Sequence, residues 1–406
     1  MAKVRHIPIP KTANELWFDA LVRHQVYLMR VSGSIRNDIN ALLNATEQAM
    51  VDRIRTVLHG NTKLSPARLR KAESLIEQLK QIRTEVWIEV DGVWKDTMKN
   101  LTVTEVEQVN RILKTVTPSE LSTQLPTATK LKALVRTMPF EGRVLGSWSK
   151  KIAADDISRI ASQVRIGIVQ GETTQQISRR IIGSAKLKGA DGVTQITRRN
   201  AEAITRTAVN AFSNASREMF FGENQDIFDK EIFVATLDGR TTPICMSLDG
   251  ERFPVNEGAK PPMHFQCRSL RVAEINGEMI GMRPAKSTTQ GIMIKKYAQE
   301  NDLGRVTKRV QLPRGHKGKY DTFARAEMRR MTGRVPSKVN YQTFLERQSV
   351  AFQDELLGPV RGKLFRKGGY TVDKFVDRSG KTIRLDQLAD TDAAAFRAAG
   401  LDPADY

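Results

Sequence analysis

The stretch whose reading decides the fold is Ile232–Val272, IFVATLDGRTTPICMSLDGERFPVNEGAKPPMHFQCRSLRV. It holds the two cysteines of the chain, Cys245 and Cys267, with His264 three residues before the second. Pro261-Pro262 stiffens the approach to that histidine. Asp238-Gly239 and Asp249-Gly250 are turn dipeptides. Ile232–Thr236 reads as a short strand, Leu248–Phe253 as a turn entering an extended piece, and Ser269–Ile275 as a further strand. A compact strand-and-turn unit is therefore predicted at about 230–275, in a chain whose preceding part reads as helix.

Upstream, residues 14–60 carry apolar side chains at Leu28, Val31, Ile35, Ile39, Leu42, Ile54 and Val57, a stripe down one helical face. Asn14 is the predicted N-cap and His59-Gly60-Asn61 the stop. Such a helix is about 65–70 Å long and cannot bury its stripe without partner helices, its own or another chain's. Ser65-Pro66 opens a second helix over Leu69, Ala72, Leu75, Ile76 and Leu79. Val86–Val90, ended by Asp91-Gly92, fits either a helix end or a strand. Thr104, with Glu107 three residues on, predicts a new short helix to Val116, and Pro118 and Pro126 bracket a loop. From Gly146 the pattern resumes through Ile152, Ile157, Ile160, Val164 and Ile168. A helix capped by Glu172-Thr173-Thr174 follows, then one long helix from Ile196 to Phe221 displaying Arg198, Arg199, Arg206 and Arg217.

Downstream, residues 295–338 carry thirteen Lys and Arg against four Asp and Glu. Arg314–Lys319 is short of apolar residues and reads as mobile. Lys295, Lys296, Lys308, Arg309, Arg314, Lys317, Lys319, Arg329 and Arg330 are the candidate phosphate contacts; the plainer alternative is a solvated linker. Helical order returns at Phe344, Leu345, Phe352, Leu356 and Leu357. Thr382–Leu385 is a candidate strand, with Asp390 or Thr391 as the cap of a terminal helix.

Charge narrows the function. The chain has 65 Lys and Arg against 45 Asp and Glu, a net +20, which favours a polyanionic partner held by phosphate contacts. Apolar runs fall far short of the roughly 20 residues that cross a bilayer, and MAKVRHIPIPKTANE has no apolar leader core. Two cysteines in 406 residues argue against a secreted disulfide scaffold.

Tests for catalysis come back mostly negative. Ser379-Gly380-Lys381-Thr382 ends like a phosphate loop, but the earlier glycine would have to stand at Phe375. Neither GxSxG nor HExxH occurs. Cys245, His264 and Cys267 have metal-like spacing, with Asp238 or Asp249 available as a fourth ligand for zinc. Free buried thiols, a Cys245–Cys267 disulfide and a metal-dependent nucleic-acid-processing site are the alternatives.

Several spacings resemble the phage head morphogenesis family, the Mu F-type minor head proteins. They are Asp238-Gly239-Arg240-Thr241, then Cys245, Leu248-Asp249-Gly250, and Pro261-Pro262-Met263-His264-Phe265-Gln266-Cys267-Arg268, preceded by Arg206-Thr207-Ala208-x-Asn210. The resemblance spans about Trp148 to Val272. Many relatives continue Cys-Arg-Cys where this chain has Ser269. A second resemblance lies in the tail, from Phe344-Leu345-x-x-Gln348 through Phe352-Gln353-Asp354-Glu355 and Gly358-Pro359-x-Arg361-x-Lys363-Leu364-Phe365.

The resemblance implies a non-catalytic minor head protein inside the capsid, near the portal. Its implied partners are the portal protein, the major capsid or scaffolding protein, double-stranded DNA contacted without sequence preference, and further copies of itself. No cofactor is required, zinc being optional. The predicted fold class is α+β, mostly helical, with long N-terminal helices, a bundle, the small strand module and a basic, partly extended C-terminal arm. The expected division is 1–145 for assembly, 146–275 for the head-morphogenesis unit, 276–340 for the basic arm and 341–406 for a helical tail. In the module, Asp238 and Asp249 are expected to set turns, and Arg240 and Arg268 to brace carboxylates.

Overall fold

A computed structural model describes residues 11–60, 62–117, 121–275, 281–377 and 379–406. Asn61 of the predicted helix stop and Pro118 of the predicted loop lie outside these residues, as do residues 1–10. Two long helices, α1 (Lys11–Val57) and α2 (Pro66–Val116), run antiparallel: Met50, Ile54 and Leu58 pack with Leu75, Ile76 and Leu79, while Trp17, Phe18 and Leu21 pack with Val106, Val109 and Leu113. After α3 (Ala128–Thr137), α4 (Leu145–Val169), α5 (Thr174–Ile182) and α6 (Thr194–Glu223) complete the bundle. The partners that α1 needs are thus its own. Leu28, Ile35 and Ile39 meet Trp87, Val90 and Trp94 of α2, Ile152 of α4 and Ile204 and Phe212 of α6.

Helix α2 is a single 51-residue element, so the stop at Asp91-Gly92 and the cap at Thr104 are both overruled. Asp91 pairs with Lys95 one turn on, and the Thr104 hydroxyl donates back to Asn100 O and Leu101 O at 3.0 and 3.3 Å. The apolar stripe through Trp94, Met98, Val106 and Val109 is fully buried, and its packing outweighs the local turn and cap preferences. Ser65 and Thr173 do cap, the latter in a capping box with Gln176. Gly167 allows α4 to touch α5, since a Cβ there would sit 2.5 Å from Ile177 Cγ1.

Asn14 is no cap. It lies inside α1, buried; its amide donates to Ile275 O at 2.7 Å and accepts from Ile275 N at 3.2 Å, while Trp17 Nε1 donates to Ala273 O at 2.8 Å. Those acceptors belong to the sheet that follows the bundle. Its strands are β1 (Phe228–Val234), β2 (Arg252–Pro254) and β3 (Leu270–Ile275), antiparallel in the order β2-β1-β3. Ile232 stands opposite Arg252 on one side and Val272 on the other. A short helix, α7 (Pro243–Leu248), interrupts the path from β1 to β2; the sequence reading had turns there. Pro243 at its first position suits a helix start.

The basic stretch is more ordered than an extended arm. It contains β4 (Met282–Lys286), α8 (Gln290–Glu300), α9 (Lys317–Arg330) and β5 (Thr332–Pro336), with β4 and β5 paired antiparallel. Met293, Tyr297, Val306, Leu312 and Tyr320 give it a small core, which is why Arg314–Lys319 forms a 3₁₀ turn leading into α9. Among the described residues of this stretch, 301–316 holds no element longer than a 3₁₀ turn.

The tail folds as α10 (Tyr341–Glu346), α11 (Val350–Leu357), α12 (Pro359–Lys367), α13 (Leu385–Thr391) and α14 (Ala393–Ala398), around Phe344, Phe352, Leu364, Phe375 and Phe396. Thr382 makes only an isolated bridge to Val376, and Leu385 opens α13, so Thr382–Leu385 is not a strand. Asp392, rather than Asp390 or Thr391, caps the last helix, accepting from Ala395 N at 3.0 Å. No helix among the described residues is long and apolar enough to cross a membrane.

Candidate metal centre and its polar frame

Three donors converge beside the sheet. Cys245 projects from α7, and His264 and Cys267 from the loop before β3. Cys245 Sγ is 3.3 Å from His264 Nε2 and 3.7 Å from Cys267 Sγ, and all three donor atoms lie within 4.8 Å of one another. Both thiols are free and buried. His264 Nδ1 is 2.8 Å from Phe265 O, which fixes the ring so that Nε2 faces the sulfurs. The pair of sulfurs favours a single negative charge. A hydrogen bond from Cys245 and the nearby His264 hold Cys267 well below the usual thiol range against the effect of burial. The bond to Cys267 and burial push Cys245 up. His264 is raised: burial opposes its charge, but the Cys267 thiolate outweighs it.

Helix α6 holds this loop by its backbone. Thr207 Oγ1 accepts from Gln266 N at 2.9 Å, and Asn210 Nδ2 donates to Cys267 O at 2.8 Å. The Arg206-Thr207-Ala208-x-Asn210 pattern therefore docks the histidine–cysteine turn. Asn210 also accepts from Gln25 of α1 at 3.0 Å. Arg217, read from the sequence as displayed, is fully buried: it donates to Glu105 at 2.9 Å and to Gln25 and Asn214 at 3.0 Å each. Burial lowers its pKa against the pull of Glu105. A second buried knot joins four helices: Asp156 accepts from Arg83 at 2.7 Å, Trp87 at 3.0 Å and Thr197 at 2.6 Å, while Arg83 also donates to Leu43 O at 3.1 Å.

The two Asp-Gly turns are fixed by arginines. Asp238 takes both guanidinium nitrogens of Arg268, at 2.6 and 2.7 Å, and caps Arg240 N at 2.9 Å. Burial would raise its pKa, yet Arg268 holds it below the ordinary value. Arg240 reaches Asp238 only at 3.8 Å and its side chain is 76% exposed, so Arg268 is the brace and Arg240 is not. Asp249 accepts from Ala235 N at 2.7 Å and takes both nitrogens of Arg283 at 2.9 Å. It is more deeply buried, and burial wins: its pKa is raised despite Arg283. Gly250, at φ +93°, turns the chain so that its N–H reaches Phe233 O at 2.9 Å. With both carboxylates taken up by arginines, neither Asp238 nor Asp249 joins the Cys–His–Cys cluster.

The remaining signature residues serve the same frame. The Thr241 hydroxyl donates to Thr236 O, Leu248 closes α7 against the sulfurs, and the Pro261-Pro262 bond is cis. Arg283 and Tyr341 were not foreseen. Tyr341 donates to Asp238 O at 2.7 Å. Each Asp-Gly turn is thus locked by a residue that lies beyond β3. The tail pattern is structural in the same way: Gln353 donates to Leu345 O at 2.9 Å, Asp354 pairs with Arg366 at 2.7 Å and Arg361 donates to Ile383 O at 2.7 Å.

Of the nine candidate phosphate contacts, four have carboxylate partners. Lys296 and Arg330 share Glu327 at 2.9 and 2.7 Å, Arg309 pairs with Asp321, and Lys295 reaches Glu355 at 3.9 Å. Lys308, Arg314, Lys317, Lys319 and Arg329 form no ion pair among the described residues, and all but the half-buried Lys317 are exposed.

Residues 158–271 match the family described as Phage Mu protein F like protein. The match runs from mid-α4 to the start of β3, the span that holds the Cys–His–Cys cluster and both Asp-Gly turns. The match points to a role in phage head morphogenesis. No curated protein and no solved structure matches the chain.

Proposed function

We propose, from the match of residues 158–271 to the Phage Mu protein F like family, that this chain is a minor, non-catalytic head protein that lies inside the capsid near the portal and contacts packaged DNA without sequence preference. Within that role the bundle is the assembly body, meeting portal protein, the major capsid or scaffolding protein, or further copies of the chain. The strand module is a rigid joint, and the segment around α9 is the DNA-facing surface. The observation that carries the DNA contact is that five of the candidate phosphate contacts, at 308, 314, 317, 319 and 329, have no acidic partner among the described residues, in a chain of net +20. Basic groups already neutralised by carboxylates release fewer counterions on binding phosphate.

Binding of unrelated duplexes across a salt series tests the DNA contact. Affinity should fall steeply with salt, and glutamine at 308, 314, 317, 319 and 329 together should shallow the log–log slope by about 4–5 if each site makes one phosphate contact. A flat salt dependence, or a slope unchanged in that variant, overturns it. Co-sedimentation with portal protein tests the assembly part separately. A nuclease assay on wild type and His264→Ala distinguishes this role from the metal-dependent processing of nucleic acid.

A further inference from the structure

We propose that Cys245, His264 and Cys267 bind one zinc ion, with Glu141 closing the fourth position. Two edges of the triangle of donors have the lengths of a zinc tetrahedron, and the third lies within 4.8 Å. Bonds of about 2.3 Å to sulfur and about 2.0–2.1 Å to nitrogen set two sulfurs about 3.8 Å apart and a sulfur and a nitrogen about 3.5 Å apart. The corresponding separations here are 3.7 and 3.3 Å. A thiol hydrogen-bond chain also gives such distances, but it does not account for the surrounding support. The Nδ1 contact of His264 to Phe265 O orients Nε2 inward, as an outer group does for a histidine ligand. Helix α6 clamps the loop backbone at Gln266 N and Cys267 O. Thr242 Oγ1, buried without a hydrogen-bond partner, and the Ser269 hydroxyl both stand beside Cys245. Hydroxyls so placed are donors suited to metal-bound thiolates.

Glu141 supplies the fourth corner. It is the carboxylate whose charge bears on both His264 and Cys267. It sits at φ +48°, in the left-handed region that a glutamate rarely adopts, on a two-residue turn closed by the Phe140–Arg143 bridge. That turn is tied to the histidine loop. Trp148 Nε1 donates to Phe140 O at 3.0 Å, and the ring of Phe265 meets Trp148 edge-on at 5.2 Å. Glu141 stands outside the group of three donors, so closure needs a movement of its side chain toward them.

The test uses full-length protein purified reduced and without chelator. One zinc per chain is expected, and cobalt in its place should give thiolate-to-metal absorption together with the strong visible bands of a tetrahedral centre. Cys267→Ala or His264→Ala should lose the metal, while Glu141→Gln should keep it with affinity lowered about 10–100-fold, the range typical of losing one supporting group. The wild-type titration stands even if a cysteine variant fails to fold. Protein without zinc that also gives no thiolate-to-cobalt absorption overturns the site, as does a Cys245–Cys267 disulfide in the reduced preparation. Unchanged affinity in Glu141→Gln overturns the four-ligand arrangement.

Discussion

The bundle and the strand module solve the same problem by different means. In the bundle, α1, α2, α4 and α6 bury long apolar stripes, and polar knots such as Asp156–Arg83 are set into an apolar surround. In the module, β1–β3 are short, and shape comes from side chains gripping backbone: Asp249 on Ala235 N, Tyr341 on Asp238 O, Asn210 on Cys267 O. Packing of area tolerates small changes of shape, whereas a buried polar grip fails when one partner is removed. The family match covers the second kind of structure, with only the end of the first, from mid-α4 through α6.

Four measurements would sharpen or break that contrast. The largest effect is expected for Asp249→Ala, which leaves Arg283 buried without its counterion; denaturant unfolding should show a loss of about 3–5 kcal/mol. A loss below about 1 kcal/mol would mean that the turn does not depend on that pair. Next comes Glu231, fully buried on β1 beside Arg271 at 2.8 Å. Burial lifts its pKa from 4.5 to about 7, against the pull of Arg271. A raised carboxyl binds its proton more tightly when folded, so this contribution is full below about pH 4.5 and is lost as pH rises through about 7. The loss should be about 2–3 kcal/mol, and Glu231→Gln should flatten the profile over that window. Asn210→Ala, which unties α6 from the histidine–cysteine loop, should cost about 1–3 kcal/mol. Amide exchange at Gln266 and Cys267 should quicken more than exchange in α2; an even rise would dissolve the distinction between the regions. The smallest effect belongs to the bundle: Ile39→Val should cost about 0.5–1.5 kcal/mol by thermal unfolding.

The bundle's apolar stripes were legible because period 3.6 survives over 47 and 51 residues. Local punctuation misled: Asp91-Gly92 and Thr104 carry turn and cap chemistry that burial of Trp94 and Val106 overrides. The strand module was legible through its turns, but α7 was hidden because six residues hold less than two helical turns. The partners of the buried polar groups were not legible, being distant in sequence. Some of the groups themselves left a signal. Asp156 falls four residues from both Ile152 and Ile160, and Arg83 follows Leu75, Ile76 and Leu79 on the buried face. A charge on an apolar stripe of a helix marks a buried pair. Asn210 and Thr207 gave less, since small polar residues on a helix fit either face. For the cluster, spacing supplied Cys245, His264 and Cys267, whereas Glu141, the proposed fourth ligand, lies over a hundred residues upstream and its turn is tied to the histidine loop through the edge-on contact of Trp148 and Phe265.

Asn14 and Trp17 have a consequence beyond tethering α1. Strand β3 is an edge, and its outward N–H and C=O groups are the kind that recruit strands from other chains. At Ala273 and Ile275 those groups are already satisfied by an indole and a carboxamide from a helix. The primary amide of Asn14 imitates a neighbouring strand for one residue and ends the ladder there. Strand addition from another chain along β3 is therefore blocked at Ala273 and Ile275 by a helix of the same chain.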